Sequence, residues 1–318
     1  MPTIAIYRRT SFIAALGLAF LATGGEKLSV GSPSAGIKED LYDVELLTAQ
    51  RGCAVGDAGV IVSSDDGGRS WRRAQSGVTD PIFHLAFVDE QNGWASGRAG
   101  LVLHTADGGK GWQRQPTPTD KHLLAIDFLD AQRGAAVGDW GVVLTTEDGG
   151  ASWIDHSLTE DLVLYGVRVV APGELWVVGE AGAVLHSTDG GSNWARCQGC
   201  GDKSLFAVDF DGREHGIAVG LDGEILVTAD GNNWKVAANQ VGRALYAVRL
   251  RGGEAWAVGD AGTVLRSTDG GGSWSALPVS EDVKLSWLHG VSFIGGQTVV
   301  VGAGGLVLSP GSDREAHS

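Results

Sequence analysis

A unit of about 41 residues recurs seven times along the chain, and this repetition limits the possible folds more than any other feature. The last glycine before a short turn marks each unit: Gly56, Gly97, Gly138, Gly179, Gly220, Gly259 and Gly302, at spacings of 41, 41, 41, 41, 39 and 43. Each unit opens on an alternating apolar run, such as LYDVEL at 41, IFHLAF at 82 and LYAVRL at 245, whose period of two identifies a strand. A second run (GCAVG, GWASG, LWVVG) leads through the turn into a third (VIVSS, LVLHT, VVLTT), and a fourth begins at a tryptophan. Four short strands per unit, seven units over, predict an all-β, seven-bladed β-propeller with four-stranded blades. The 50 glycines among 318 residues, about twice the usual ~7%, supply the turns this architecture needs.

The hairpin between third and fourth strands carries the pattern S/T-x-D-x-G-x-x-W. It reads Ser64, Asp66, Gly68, Trp71 in the first unit and returns at Thr105, Thr146, Ser187 and Ser267, with a copy one residue short at Thr228. An aspartate at a turn start accepts bonds from the backbone N–H groups that follow, and the tryptophan is expected to pack back over the hairpin. These parts serve the fold, since a reaction needs one site and the same aspartate recurs in unit after unit. The seventh unit lacks the box: after LVLSPGSD there is no tryptophan and no fourth strand. An open final blade would leave a strand edge exposed, so the segment 25–40, which contains the strand-like LSV, is expected to close the ring. The expected organisation is a signal peptide over 1–24, the closing segment over 25–40 and the propeller over 41–318.

The signal peptide is read from Arg8 and Arg9, the apolar stretch TSFIAALGLAFLAT and the small residues that follow. Export to the periplasm is expected, or to the thylakoid lumen in a photosynthetic organism. Cys197 and Cys200 form a CxxC without the further ligands of a zinc site or the βαβ context of a redox motif, and are read as a surface-loop disulfide. Cys53 stands where other units place Trp94, Trp176 or Trp256, and is read as a buried hydrophobe. No metal or cofactor is expected. Lys and Arg number 24 against 38 Asp and Glu, a net charge of −14, so nucleic acid is an improbable partner.

Two sets of positions can carry function. The turns between second and third strands begin with Asp57, Arg98, Asp139, Glu180, Leu221, Asp260 and Ala303, and share one face with inter-blade loops that add Asp80, Asp120, Glu160, Asp161, Asp202, Glu281 and Asp282. That face is expected to be strongly acidic and to steer a basic protein segment to it. Trp140 stands out there, because the other units place Ala, Asp or Gly in register with it; rigid aromatics are favoured contact anchors. The partner-binding candidates are therefore Trp140, Asp139, Asp57, Arg98, Glu180 and Asp260. The second set is the fifth position of the first strands, where Glu45, Asp127, Arg168, Asp209 and Arg249 are expected to converge in the central channel, either as mutual ion pairs or as a ligand site. Tyr42, Tyr165 and Tyr246 share one strand position with Phe83, Leu124 and Phe206 and are read as core residues.

Units of the form LYxVxF…GxAVGxxGxVLxSxDGGxxW, from about residue 40 to 311, resemble the Asp-box or BNR-repeat propellers, and among them the photosystem II assembly/stability factor family. The resemblance implies a non-catalytic factor that binds a membrane-associated protein client during assembly of a complex. The acidic turn face suits a client with a basic exposed segment, and a monomer is expected. Sialidases and xyloglucan-cleaving hydrolases share the box, so a glycoside hydrolase using two carboxylates is the alternative. Near-uniform units leave little room for the deep cleft such an enzyme needs.

Overall fold

The alternating runs form the innermost strand of every blade, because only there do both a channel side and a core side exist to separate their two faces. A computed structural model of the chain describes residues 28–30, 36–238 and 241–310. It contains seven four-stranded antiparallel sheets. In blade one the strands are Leu41–Leu46, Gly52–Gly56, Ile61–Ser64 and Arg72–Ala74, ordered from the axis outward. The first strands of neighbouring blades touch one another around the axis. In the seventh sheet Leu28–Val30 lies antiparallel to Val307–Pro310, with Leu28 opposite Pro310 and Val30 opposite Leu308. The fourth strand missing from that unit is thus supplied from the other end of the chain. The signal-peptide reading, 1–24, falls outside the described residues.

From their first glycine or apolar residue onward the second strands, such as Gly52–Gly56 and Gly134–Gly138, are buried, which explains why they read as continuous small and apolar runs. No single central core exists. Seven apolar clusters each join two adjoining blades, as where Cys53, Val55 and Ile61 of blade one meet Ile82, Leu85 and Trp112 of blade two. Cys53 is buried there with a free thiol.

The box hairpins do more than the local turn chemistry suggests. In blade one the Ser64 hydroxyl donates to Asp66 Oδ1 at 2.9 Å and accepts from the Gly68 N–H, while Asp66 also accepts from the Ser70 N–H. Trp71 Nε1 donates to the Gly68 carbonyl, but its ring lies with Val299 and Val301 of blade seven. The tryptophan folds back over its own hairpin, as expected, and its ring also reaches as a wedge into the preceding blade. The cause is geometric, since the hairpin hangs over the inter-blade crevice, where an indole finds more apolar surface than its own short, mostly exposed outer strand offers.

Candidate functional site

The turns between second and third strands have both central residues at positive φ, as type I′ hairpin turns require. In blade three these are Trp140 at 61° and Gly141 at 68°. The same position holds Ala58, Ala99, Ala181, Asp222, Ala261 and, in the last blade, Gly304. A left-handed conformation costs a residue with a Cβ about 1 kcal/mol or more, and a bulky ring is the least expected side chain there. Trp140 is nonetheless 55% exposed, so less than half of its surface is covered in return for the strain. Its indole carries Lys121 Nζ at 5.7 Å from the ring centroid.

The first residue of each turn donates its N–H to the carbonyl preceding the first strand, as Asp57 does to Asp40 and Asp139 to His122 at 3.1 Å. This bond sets Asp57, Arg98, Asp139, Glu180 and Asp260 side by side with the start of the channel-lining strand. Asp57 and Arg98 are exposed; Asp139, Glu180 and Asp260 are half-buried. Burial holds the Asp139 carboxyl above its ordinary range, with His122 and Lys121 drawing it back and Glu180 adding to the rise. Glu180 Oε2 accepts from the Val163 N–H at 3.1 Å.

The expectation of a strongly acidic face is refined by local pairing. Loop acids farther out are countered by loop cations: Lys121 pairs with Asp120, Arg196 with Glu160 and Lys284 with Glu281. Among the described residues no ion pair neutralises Asp57, Asp139, Glu180 or Asp260. Negative charge thus stands at the channel mouth, while the rim mixes these pairs with Asp80, Asp161, Asp202 and Asp282, which make no ion pair among the described residues.

At that mouth lies a feature the sequence reading missed. Every first strand carries a β-bulge at its second residue: Leu41 pairs with Gly56 and Asp43 with Val55, leaving Tyr42 without a partner, and the other six blades repeat the irregularity. A bulge re-aims its side chain, and these residues meet around the axis. Ring centroids run Phe83 to Tyr42 at 6.0 Å, Tyr42 to His289 at 5.6 Å, His289 to Tyr246 at 5.3 Å, Tyr246 to Phe206 at 5.6 Å and Phe206 to Tyr165 at 5.2 Å. Leu124 occupies the seventh place. All are half-buried, so the reading of the tyrosines as core residues is corrected. Burial, together with the charges of Asp57 and Asp40, pushes the Tyr42 hydroxyl up to about 12; burial with Glu180 and Asp139 does the same for Tyr165.

Deeper in the channel the fifth-position residues do converge. Arg168 lies 2.7 Å from Asp127 Oδ1 and 2.9 Å from Asp209 Oδ1, joining three consecutive blades. The acids also staple blades together by accepting the next inner strand's N–H: Asp127 from Val169, Asp209 from Leu250 and Glu45 from Phe87. These bonds satisfy backbone groups that the innermost edge of each sheet leaves unpaired. Ion pairing is therefore only part of what these residues do, and Glu45 makes no ion pair with either arginine. Burial pushes the Glu45 carboxyl up to about 7, with Arg249 opposing and Asp43 reinforcing. Asp43, 3.5 Å from Arg249 and 3.6 Å from His84, was not among the expected channel residues. The alternation that places Glu45 inward places Asp43 inward too, so the signal was present two residues away.

Cys197 and Cys200 are joined by a disulfide with Cα atoms 5.9 Å apart. Cys200 is buried in the cluster between blades four and five, and Arg196 beside it donates to the Ala181 carbonyl. The bridge closes the loop on itself, and the Arg196 bond ties that loop to the blade-four turn that carries Glu180.

The sequence matches the family model described as photosynthesis system II assembly factor YCF48 in three stretches, 32–117, 112–199 and 200–309. A solved structure described as YCF48 bound to D1 peptide superposes with a TM-score of 0.72 at 20% identity, covering 94% of this chain and 99% of that one. YCF48 from Cyanidioschyzon merolae gives 0.69 at 19% identity, covering 89% and 98%. The GH74 xyloglucanase from Xanthomonas campestris gives 0.70 at 15% identity, covering 92% of this chain but 55% of that one. These structural likenesses establish a shared fold. No curated protein sequence matches the chain.

Proposed function

The chain belongs to the photosynthesis system II assembly factor YCF48 family, and from that premise we propose that it is a non-catalytic docking platform for a membrane-associated protein client. The client presents a basic segment to the turn face, centred on Trp140 and Asp139. The protein acts as an exported monomer in the periplasm, or in the lumen of a photosynthetic organism, and needs no cofactor. The observation that carries this reading is Trp140 itself: a large aromatic held in a left-handed conformation and 55% exposed, where other blades place Ala, Asp or Gly. Strain of this kind persists where it is used. Lys121 on the indole shows that the ring face accepts a cation, and Asp139 and Glu180 supply negative charge beside it. A similar propeller carrying a D1 peptide supports a protein ligand as the object of such a surface.

The hydrolase reading has less support. Asp127 and Asp209, the channel acids on either side of Arg168, share it and hold backbone N–H groups of the next blade. The carboxylates are thereby committed to structure.

The test uses the exported form immobilised and offered detergent-solubilised membranes of the source organism. Trp140→Ala with Asp139→Asn is expected to weaken client capture about tenfold or more, since truncating an aromatic anchor typically costs ~2 kcal/mol, while the circular dichroism and melting transition stay native. Added salt should weaken wild-type capture. Capture that survives the double substitution unchanged, or glycoside cleavage abolished by a single carboxylate change, overturns the reading.

A further inference from the structure

The belt of bulged aromatics calls for an explanation that neither core packing nor the docking reading supplies. Six of seven first strands place a ring at the bulge, yet the fold accepts Leu124 at the same position in blade three, so an aromatic is not a packing requirement. The rings are half-buried, each keeping part of its surface open. They meet edge-to-face or tilted, as Tyr165 with Phe206 at 76° and Tyr42 with His289 at 85°. Beside them stand the turn carboxylates Asp57, Asp139, Glu180 and Asp260, which make no ion pair among the described residues. Their nearness is felt electrically: Asp57 and Asp40 act on Tyr42, Glu180 and Asp139 on Tyr165, and Asp260 on Tyr246. The belt's one imidazole, His289, is held below its ordinary range by burial, against Asp40 and Asp260, so it adds little positive charge at neutral pH.

We propose that this mouth is a cation socket that receives an arginine side chain of a protein partner, the guanidinium lying against the ring faces of the belt with the turn carboxylates around it. The proposal rests on the docking reading for its partner and adds the chemical group recognised and the residues that recognise it. Ring faces attract a cation through their quadrupole, more strongly as water is removed. Arginine suits the site better than lysine, because its planar, weakly hydrated fork stacks on aromatic faces while its N–H groups still reach carboxylates. Below the mouth the carboxylates of Asp127, Asp209 and Asp43 are already engaged by Arg168 and Arg249, so they are not free to draw a guest cation past the belt. A deep ligand site in the channel is not needed.

The probe is the capped pentapeptide Gly-Gly-Arg-Gly-Gly, with citrulline in place of arginine as its uncharged counterpart. Binding to the full propeller is followed by chemical shifts of labelled Tyr and Phe rings. Saturable shifts are expected with the arginine peptide, at least fivefold weaker with the citrulline peptide. Phe206→Leu with Tyr246→Leu should weaken arginine binding about tenfold; leucine is the residue blade three already tolerates, so folding is kept. Leu124→Tyr, which completes the belt, should tighten binding about threefold. Absence of saturable binding, equal affinity for the citrulline peptide, or an unchanged affinity in the double leucine variant overturns the socket. The two readings fail separately. Membrane capture that survives Trp140→Ala with Asp139→Asn overturns the docking reading whatever the pentapeptide does. Pentapeptide binding indifferent to the belt overturns the socket whatever the membranes show.

Discussion

The box hairpins recur in six blades and the channel mouth in all seven, and the two regions treat repetition in opposite ways. On the box side the same atoms return: a hydroxyl bonded to an aspartate at 2.9 Å in blade one, 2.8 Å in blade two and 2.9 Å in blade three, with a tryptophan wedged into the blade before. At the mouth the backbone returns with equal fidelity, bulge for bulge and turn for turn, while the side chains differ: Asp57, Arg98, Asp139, Glu180 and Leu221 occupy one position. The backbone geometry of both regions is demanded by the ring. Only on the box side does the ring also demand the side chain, because there the side chain is the joint between blades.

This comparison can be broken most directly at a joint. Trp153→Ala removes the wedge that lies with Trp94 and Phe128 between blades two and three, 6.0 Å from the Phe128 ring. The expected loss is about 3 kcal/mol, typical of deleting a large buried aromatic. Denaturant unfolding measures it, and a loss under about 1 kcal/mol means that the box tryptophans are not the joints described.

A smaller effect, of opposite sign, is expected in the channel. Glu45 titrates near 7 in the folded protein against an ordinary 4.5, so the folded state holds more protons between those values and stability falls as pH rises from about 4.5 to about 7. Glu45→Gln keeps an acceptor for the Phe87 N–H and removes the charge. It should leave stability unchanged near pH 4 and raise it by about 1.5 kcal/mol at pH 8. A difference that does not grow with pH shows that the carboxylate titrates normally. The box aspartates behave in the reverse sense: hydrogen bonds from the Ser273 side chain and N–H hold Asp269 down to about 2, so its contribution is complete above about pH 4 and fades below.

The smallest expected change sharpens the functional side. Trp140→Gly relieves a left-handed residue of its Cβ and should stabilise the fold by about 1 kcal/mol while weakening client capture. Thermal melting and capture measured on the same protein give the two signs together. If the variant is less stable, Trp140 packs more than its 55% exposure implies and the case for an anchor is lost.

Much of this was legible in the chain alone. Glycine spacing, period-two runs and the recurring box fix strand number, blade number and the absence of a final strand, because each is a local pattern read from neighbours in sequence. Trp140 was visible for the same reason, as a departure from its register. Arg168 and its acids were visible as a converging set, since position five points one way in every first strand. What the sequence could not show was how seven separate positions meet. Tyr42, Phe83 and Tyr246 look like ordinary core residues of three strands until a bulge turns each toward the axis and ring closure makes them neighbours. The disposition of charge is similar: Glu160 and Asp139 carry the same sign on the same face, but only the folded loops bring Arg196 to one and leave the other without an ion pair among the described residues. Periodicity specifies where a side chain sits on its own strand, through interactions a few residues long. Which side chains then touch depends on curvature and closure, which come from the packing of all seven blades at once.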